Sequence, residues 1–166
     1  MKVSFDIKLT TKDLYKFNMM QAYSGMQGFL SILLPILVFA YAVSSLGKVS
    51  LASTAVYAGL GIMFLLYVPV SLWMRVKKIM NDPGNAISKT LHYDFEEEVI
   101  RVSVENEQVE FKWENIFQMK STKDMVLVYT NRINAYILPK EQLGEAYSQL
   151  SELAHKRLEK YRLKMK

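Results

Sequence analysis

Residues 26–46 read MQGFLSILLPILVFAYAVSSL and residues 53–74 read STAVYAGLGIMFLLYVPVSLWM. Neither stretch holds a charged side chain; the uncharged gaps run from Lys16 to Lys48 and from Lys48 to Arg75. A helix needs about 20 apolar residues to cross about 30 Å of hydrocarbon, and both stretches meet that length. A soluble hairpin of two such helices would need a far larger apolar partner than the rest of this chain supplies. The reading is a hairpin over 26–78 that crosses a bilayer twice, at about 26–46 and 53–74.

Working outward, Lys2, Lys8, Lys12 and Lys16 precede the first span and Arg75, Lys77 and Lys78 follow the second, whereas the connection from Gly47 to Ala52 carries only Lys48. Lysine and arginine accumulate on the cytoplasmic flanks of spans. A multi-pass protein of the cell membrane with both termini in the cytoplasm is therefore expected. Tyr23, Tyr67 and Trp73 lie near the expected interfaces, where a ring with a polar edge is well placed. About 25 residues with their own acidic and apolar pattern precede the first span, unlike a short basic leader, so the N-terminus is expected to be retained.

Residues 1–25 combine a strand and an interfacial helix. From Lys2 to Leu9 the chain alternates, Val3, Phe5, Ile7 and Leu9 against Lys2, Ser4, Asp6 and Lys8, the pattern of a half-buried strand. Thr10 and Thr11 then cap a helix with Asp13 in its first turn, followed by Leu14, Tyr15, Phe17 and Met20 at helical spacing.

After Lys78 the turn formers Asn81, Asp82, Pro83, Gly84 and Asn85 mark a linker, and a cytoplasmic domain is expected over 85–166. Leu91–Phe95, Val99–Glu105 and Gln108–Trp113 are short strands with a wet face: Ile100, Val102 and Val104 oppose Arg101, Ser103 and Glu105. Further strands are expected at Ile116–Lys120, Met125–Thr130 and Asn134–Leu138. From Lys140 on, Leu143, Ala146, Tyr147, Leu150, Leu153, Ala154, Leu158 and Tyr161 recur at three and four residues, which predicts one long amphipathic C-terminal helix to about Leu163. The fold class is α+β: a transmembrane two-helix hairpin plus an antiparallel sheet and that helix. A lone strand needs a sheet to satisfy its backbone, so Lys2–Leu9 is expected to join the sheet of the C-terminal domain, with the hairpin inserted after it.

Phe111-Lys112-Trp113-Glu114-Asn115-Ile116, Tyr129, and Tyr136-Ile137-Leu138-Pro139-Lys140 before the final helix resemble the C-terminal domain of YcxB-like bacterial membrane proteins. The strand and helix ahead of a two-span hairpin are similar to that family too. The resemblance implies a bacterial inner-membrane protein with a cytoplasmic pleckstrin-homology-like roll, an order of elements that several strands followed by one helix also fits. It implies no reaction and no cofactor.

The residue inventory points away from catalysis. With no cysteine, disulfides, thiolate nucleophiles and cysteine-ligated metals are excluded. His92 falls in a strand and His155 on the last helix, and neither has a metal-ligand spacing. Glu96-Glu97-Glu98 sits between strands and reads as a solvated turn. The spans hold no ionisable group of the kind that lines a solute or proton pathway; Pro35 and Pro69 read as structural, and Ala55 with Gly59 forms a small-xxx-small pair that permits close helix contact within the hairpin or between protomers of a homo-oligomer. Trp113, Phe111 and Tyr129 read as core.

Two basic groups remain as candidate sites. Trp73, Arg75, Lys77 and Lys78 form a juxtamembrane cluster at the expected interface. Lys156, Arg157, Lys160, Arg162, Lys164 and Lys166 form a dense basic run whose last turns are expected to project toward an anionic leaflet or a partner. With the formal charge at +5 and the tail tethered beside a membrane, anionic lipid headgroups or a membrane protein are the expected partners, ahead of nucleic acid. The expected function is a membrane-anchored interaction module, in envelope stress or bacteriocin immunity; the alternative is a non-catalytic accessory subunit of a membrane enzyme or transporter.

Overall fold

The computed structural model describes residues 2–165, at Gln27 the backbone alone. It is an α+β structure in two compact units, Met1–Leu14 with Ile79–Lys166, and Tyr15–Lys78.

The first unit holds two four-stranded sheets. β1 (Val3–Lys8), β2 (Thr90–Phe95), β3 (Val99–Val104) and β4 (Glu107–Lys112) form the first in that order, antiparallel throughout. The N-terminal strand expected from alternation alone therefore pairs across more than eighty intervening residues, from Val3 opposite Phe95 to Lys8 opposite Thr90. Its register puts Val3 and Ile7 in the core and Ser4, Asp6 and Lys8 outside. At the end of this edge strand the Gln142 side-chain amide takes the place of a neighbouring strand: the Lys8 N–H donates to Gln142 Oε1 at 2.9 Å, and Gln142 Nε2 donates to the Lys8 carbonyl at 2.9 Å.

The outer face of this sheet is laced with ions. Asp6 meets His92 Nδ1 at 2.6 Å, Lys2 meets Asp94 at 3.1 Å, and Arg101 bridges Glu96 at 2.7 Å and Glu110 at 2.8 Å. Burial works against ionised Asp94, but the Ser4 hydroxyl, the Lys2 ammonium and His92 more than offset it, and its carboxyl sits below the usual range. Apart from Asp94, every one of these groups is at least 30% exposed, so each pair contributes only about 0–1 kcal/mol. Their main effect is on register.

The second sheet runs β7-β6-β5-β8. β5 (Gln118–Ser121), β6 (Met125–Tyr129) and β7 (Ala135–Pro139) are antiparallel, and β8 (Leu163–Lys164) joins β5 in parallel. All five residues of β6, Met-Val-Leu-Val-Tyr, are buried, as a continuous apolar run in an internal strand requires. Aromatic rings join the sheets: Tyr136 of β7 stacks on Phe111 of β4 at 5.6 Å and meets Tyr93 of β2 edge-on at 5.9 Å. Trp113, in a 3-10 turn leading out of β4, lies 5.8 Å from Phe95 and donates its indole N–H to the Glu96 carbonyl at 2.8 Å.

The expected C-terminal helix is present but shorter than its apolar spacing suggested. It consists of α4 (Lys140–Leu143) and α5 (Ala146–Arg157), separated at Gly144, whose φ of 49° belongs to a region that side chains disfavour. Leu143, Leu150, Leu153, Ala154 and Leu158 are buried as their spacing requires, but Tyr161 is 68% exposed. Past Arg157 the chain extends at Leu158 and turns back into β8, so no helical end projects. The reason is local: Arg162-Leu163-Lys164-Met165 alternates with period two, and β5 presents an edge for it to pair with.

The second unit is helical. α1 (Thr11–Ala22) leads into it, followed by α2 (Gly25–Ser44) and α3 (Leu51–Met80). The Ser50 hydroxyl accepts the Ser53 N–H at 3.2 Å and starts α3. At thirty residues, α3 is about 45 Å long, and it is long and apolar enough to cross a membrane; α2 carries a shorter apolar run, Gly28–Ser44. Where the two helices touch, a Cβ on Gly61 would lie 2.6 Å from the Phe39 ring, while one on Gly59 would meet nothing within 4 Å.

Burial pushes the Tyr93 phenol well above its ordinary value of 10.0, and Tyr136 adds to the shift. A group whose folded pKa is raised contributes stability that is whole below its unfolded pKa and is lost as pH rises. The melting temperature of the detergent-solubilised protein should fall as pH rises past about 10, and less steeply in Tyr93→Phe. Equal slopes in the two proteins would show that Tyr93 is not held neutral by the fold.

Candidate membrane interface and basic C-terminal segment

The entry to the helical unit is fixed by a reciprocal cap. Thr10 Oγ1 accepts the Asp13 N–H at 3.2 Å, and Asp13 Oδ2 accepts the Thr10 N–H at 3.0 Å. One turn on, Tyr15 lies edge-on to Trp73 at 5.4 Å and 89°, and its hydroxyl donates to the Pro69 carbonyl at 3.4 Å. Tyr15 thus docks on α3 just before the basic cluster, and Trp73 stays 46% exposed.

Arg75, Lys77 and Lys78 are all exposed, with Val76 buried between them. At about 100° per residue the three fall within an arc of about 160° on the side of the helix opposite Val76, with Arg75 and Lys78 adjacent at i and i+3. Among the described residues none of the three has an ionic partner. Lys77 and Lys78 occupy the last turn of α3, where positive charge suits the helix dipole.

The distribution of charge between the units is uneven. Residues 15–78 contain Lys16, Lys48, Arg75, Lys77 and Lys78 and no acidic residue, so five of the 21 lysines and arginines lie there. The other sixteen share the first unit with all sixteen aspartates and glutamates. The whole net charge of +5 therefore belongs to the helical unit, and the strand-rich unit is formally neutral.

That neutrality corrects the picture of a free basic tail. Lys156 pairs with Glu152 at 2.6 Å, and Arg157 pairs with Glu97 at 2.7 Å. Arg162 folds inward: Nη1 donates to the carbonyls of Glu114 at 2.9 Å and Ile116 at 3.2 Å, and Nε donates to the Tyr161 hydroxyl at 3.1 Å. Lys160 and Lys164 are exposed, and Lys166 lies outside the described residues. Of the five described cations, Lys156, Arg157 and Arg162 are engaged within the fold.

The other singled-out groups are also partnered. His92 bridges β1 and β2 through Asp6, and His155 Nδ1 donates to the Ser151 carbonyl at 2.8 Å. Glu96-Glu97-Glu98 is more than a solvated turn, because Glu96 receives Arg101 and Glu97 receives Arg157. Trp113 and Tyr129 are buried, and Phe111 is half-buried. Among the described residues no group of three or more His, Cys, Asp or Glu is placed to hold a metal. The contacts that sequence reasoning missed are those of Gln142 and Arg162, each a side chain bonded to distant backbone, for which local pattern gives no signal. The alternation around Leu163 and the glycine after Leu143 are local signals of the strand and the break that the reading of one continuous helix to about Leu163 passed over.

Arg162→Ala should cost about 1–2 kcal/mol of stability, since it removes charge-assisted bonds to two carbonyls, while Lys160→Ala should leave thermal unfolding unchanged. In the helical unit, Gly61→Leu should lower the melting temperature by forcing Phe39 away, and Gly59→Leu should not. Intrinsic fluorescence during a thermal ramp reads all four variants.

The family model described as YcxB-like protein matches residues 95–154, sixty of the 166 residues, from the end of β2 into α5. No curated protein and no solved structure matches the chain.

Proposed function

We propose that this chain is a two-span membrane protein of bacterial type whose strand-rich unit is a cytoplasmic, pleckstrin-homology-like interaction module without chemistry of its own. The observation that carries the reading is the surface of the helical unit. Phe29, Leu34 and Leu37 on α2, and Ile62, Leu66 and Tyr67 on α3, are among many large apolar side chains left exposed, far more than the few hundred Å² of apolar patch that a soluble monomer tolerates. Lipid is the solvent that such a surface needs.

Four strands, then three, then a helix is the order of a pleckstrin-homology-like roll, and the match at residues 95–154 is consistent with it. The chain leaves the first sheet after Lys8 and returns at Thr90, so both ends of the helical segment are tied to one module. Arg75, Lys77 and Lys78, without ionic partners among the described residues, suit the anionic inner leaflet, at about 1 kcal/mol each. The second reading, an accessory subunit, draws support from the open space beside Gly59, where another span could approach; co-purification from mild detergent of a stoichiometric membrane enzyme or transporter would favour it.

Because the chain has no cysteine, topology can be tested with single substitutions at exposed positions. Ser50→Cys should react with an impermeant maleimide added to intact cells, and Lys123→Cys should react only after permeabilisation. Labelling in the opposite sense, or of both positions in intact cells, would overturn the topology.

A further inference from the structure

We infer that the basic end of α3 seats one anionic glycerophospholipid, its headgroup phosphate held between Arg75 and Lys78 and an acyl chain lying along Met74, Tyr67, Phe64 and Leu60. The inference deepens the membrane reading proposed above and rests on it for the presence of lipid.

The six side chains share one face. At about 100° per residue, Leu60, Phe64, Tyr67 and Met74 all fall within about 40° of Lys78 around α3, and Arg75 falls about 60° from it. All six are exposed. The residues that α3 commits to packing lie elsewhere. Gly61, which meets the Phe39 ring, is turned about 100° from Lys78. Pro69, whose carbonyl accepts the Tyr15 hydroxyl, and the buried Val76 lie about 160–180° away.

Length and charge then select the occupant. From Phe64 to Met74 the helix rises about 15 Å, half of the about 30 Å of hydrocarbon in a bilayer, so the apolar part of the face is one leaflet deep and ends where the cations begin. Another span is a poor fit, because close helix contacts favour small residues and this face carries Phe64, Tyr67 and Met74. Arg75 and Lys78 are neighbours at i and i+3, about 5–6 Å apart at Cβ. One phosphate can therefore accept from both, from the guanidinium through two parallel N–H groups. With no acidic residue between Tyr15 and Lys78, no carboxylate of the helical unit competes for them. Lys77 lies about 100° from Lys78, outside the seat.

The test uses the full chain reconstituted in vesicles. Because the chain has no cysteine, Tyr67→Cys can carry a single fluorophore that brominated acyl chains quench on contact. Met74→Cys repeats the measurement beside the cations, and Val56→Cys, exposed on the same face toward the other end of α3, is the control. At Tyr67 and Met74, brominated phosphatidylglycerol in a phosphatidylcholine background should quench in preference to brominated phosphatidylcholine; at Val56 the two should quench alike. Arg75→Gln and Lys78→Gln should each lower the preference about fivefold, the effect of one basic residue near the surface, and Lys77→Gln should leave it unchanged. Equal loss from all three substitutions would mean a diffuse surface field, and an equal preference at Val56 a general affinity for the lipid; either overturns the seat. So would displacement of the lipid by inorganic phosphate at constant ionic strength, which would make the pair a site for the free anion. Quenching by both lipids without preference refutes the inference and leaves the membrane reading standing, whereas no quenching by either sinks both.

Discussion

The pairing of β1 with β2 is the constraint on which the rest of the structure depends. An isolated strand cannot satisfy its backbone groups or bury one face by itself. Val3 and Ile7 therefore reach the core only because Phe95 and Leu91 lie opposite them. The sequence between these strands, three helices long, is a closed excursion from one sheet. Gln142 completes the arrangement by supplying side-chain amide bonds to the Lys8 backbone at the point of departure. Without that pairing the first sheet would lose a strand and the helical segment would be held at one end only.

Charge is sorted along the same division. Ions in the strand-rich unit are balanced and many are locally paired, across strands as with Arg101 or along a helix as with Lys156 and Glu152. In the helical unit nothing acidic is available to pair with Arg75, Lys77 or Lys78. A positive isoelectric balance for the whole chain thus says little about the folded module and a good deal about the ends of α3. Basic residues counted along the C-terminus looked like a patch, but at Arg157 and Arg162 the geometry spends the charge on Glu97 and on carbonyls.

Much of the fold was legible because its signals are local and periodic. Alternation located β1, β3 and β4; an unbroken apolar run located β6; uncharged stretches located α2 and α3. The cap at Thr10 and Asp13 followed from residue type and spacing. What was not legible depends on partners remote in sequence. That the strands form two sheets rather than one follows from ring contacts such as Tyr136 with Phe111 and Tyr93, which no window of sequence contains. Helical periodicity through Tyr161 was overridden by the free edge of β5, and of two glycines in α3 only the facing side chain of α2 distinguishes Gly61 from Gly59. Of the groups singled out, the basic residues at the end of α3 are visible in composition, whereas the cradle for Arg162 is made of carbonyls that carry no residue-type signature.

The separation of β1 from its partners also sets an order of events during synthesis. At roughly 5–20 residues per second, β1 emerges on the order of ten seconds before β2, and Gln142 follows later still. Throughout that interval a strand with one apolar face waits unpaired while α2 and α3 are made behind it. Closing the first sheet must then join segments separated by the full length of the helical excursion, a high-contact-order step that favours slow folding. Prior compaction of the excursion would shorten the effective loop and lower its closure entropy. The helical segment is in this sense a timer: the module cannot be finished until its longest apolar stretch has found its place.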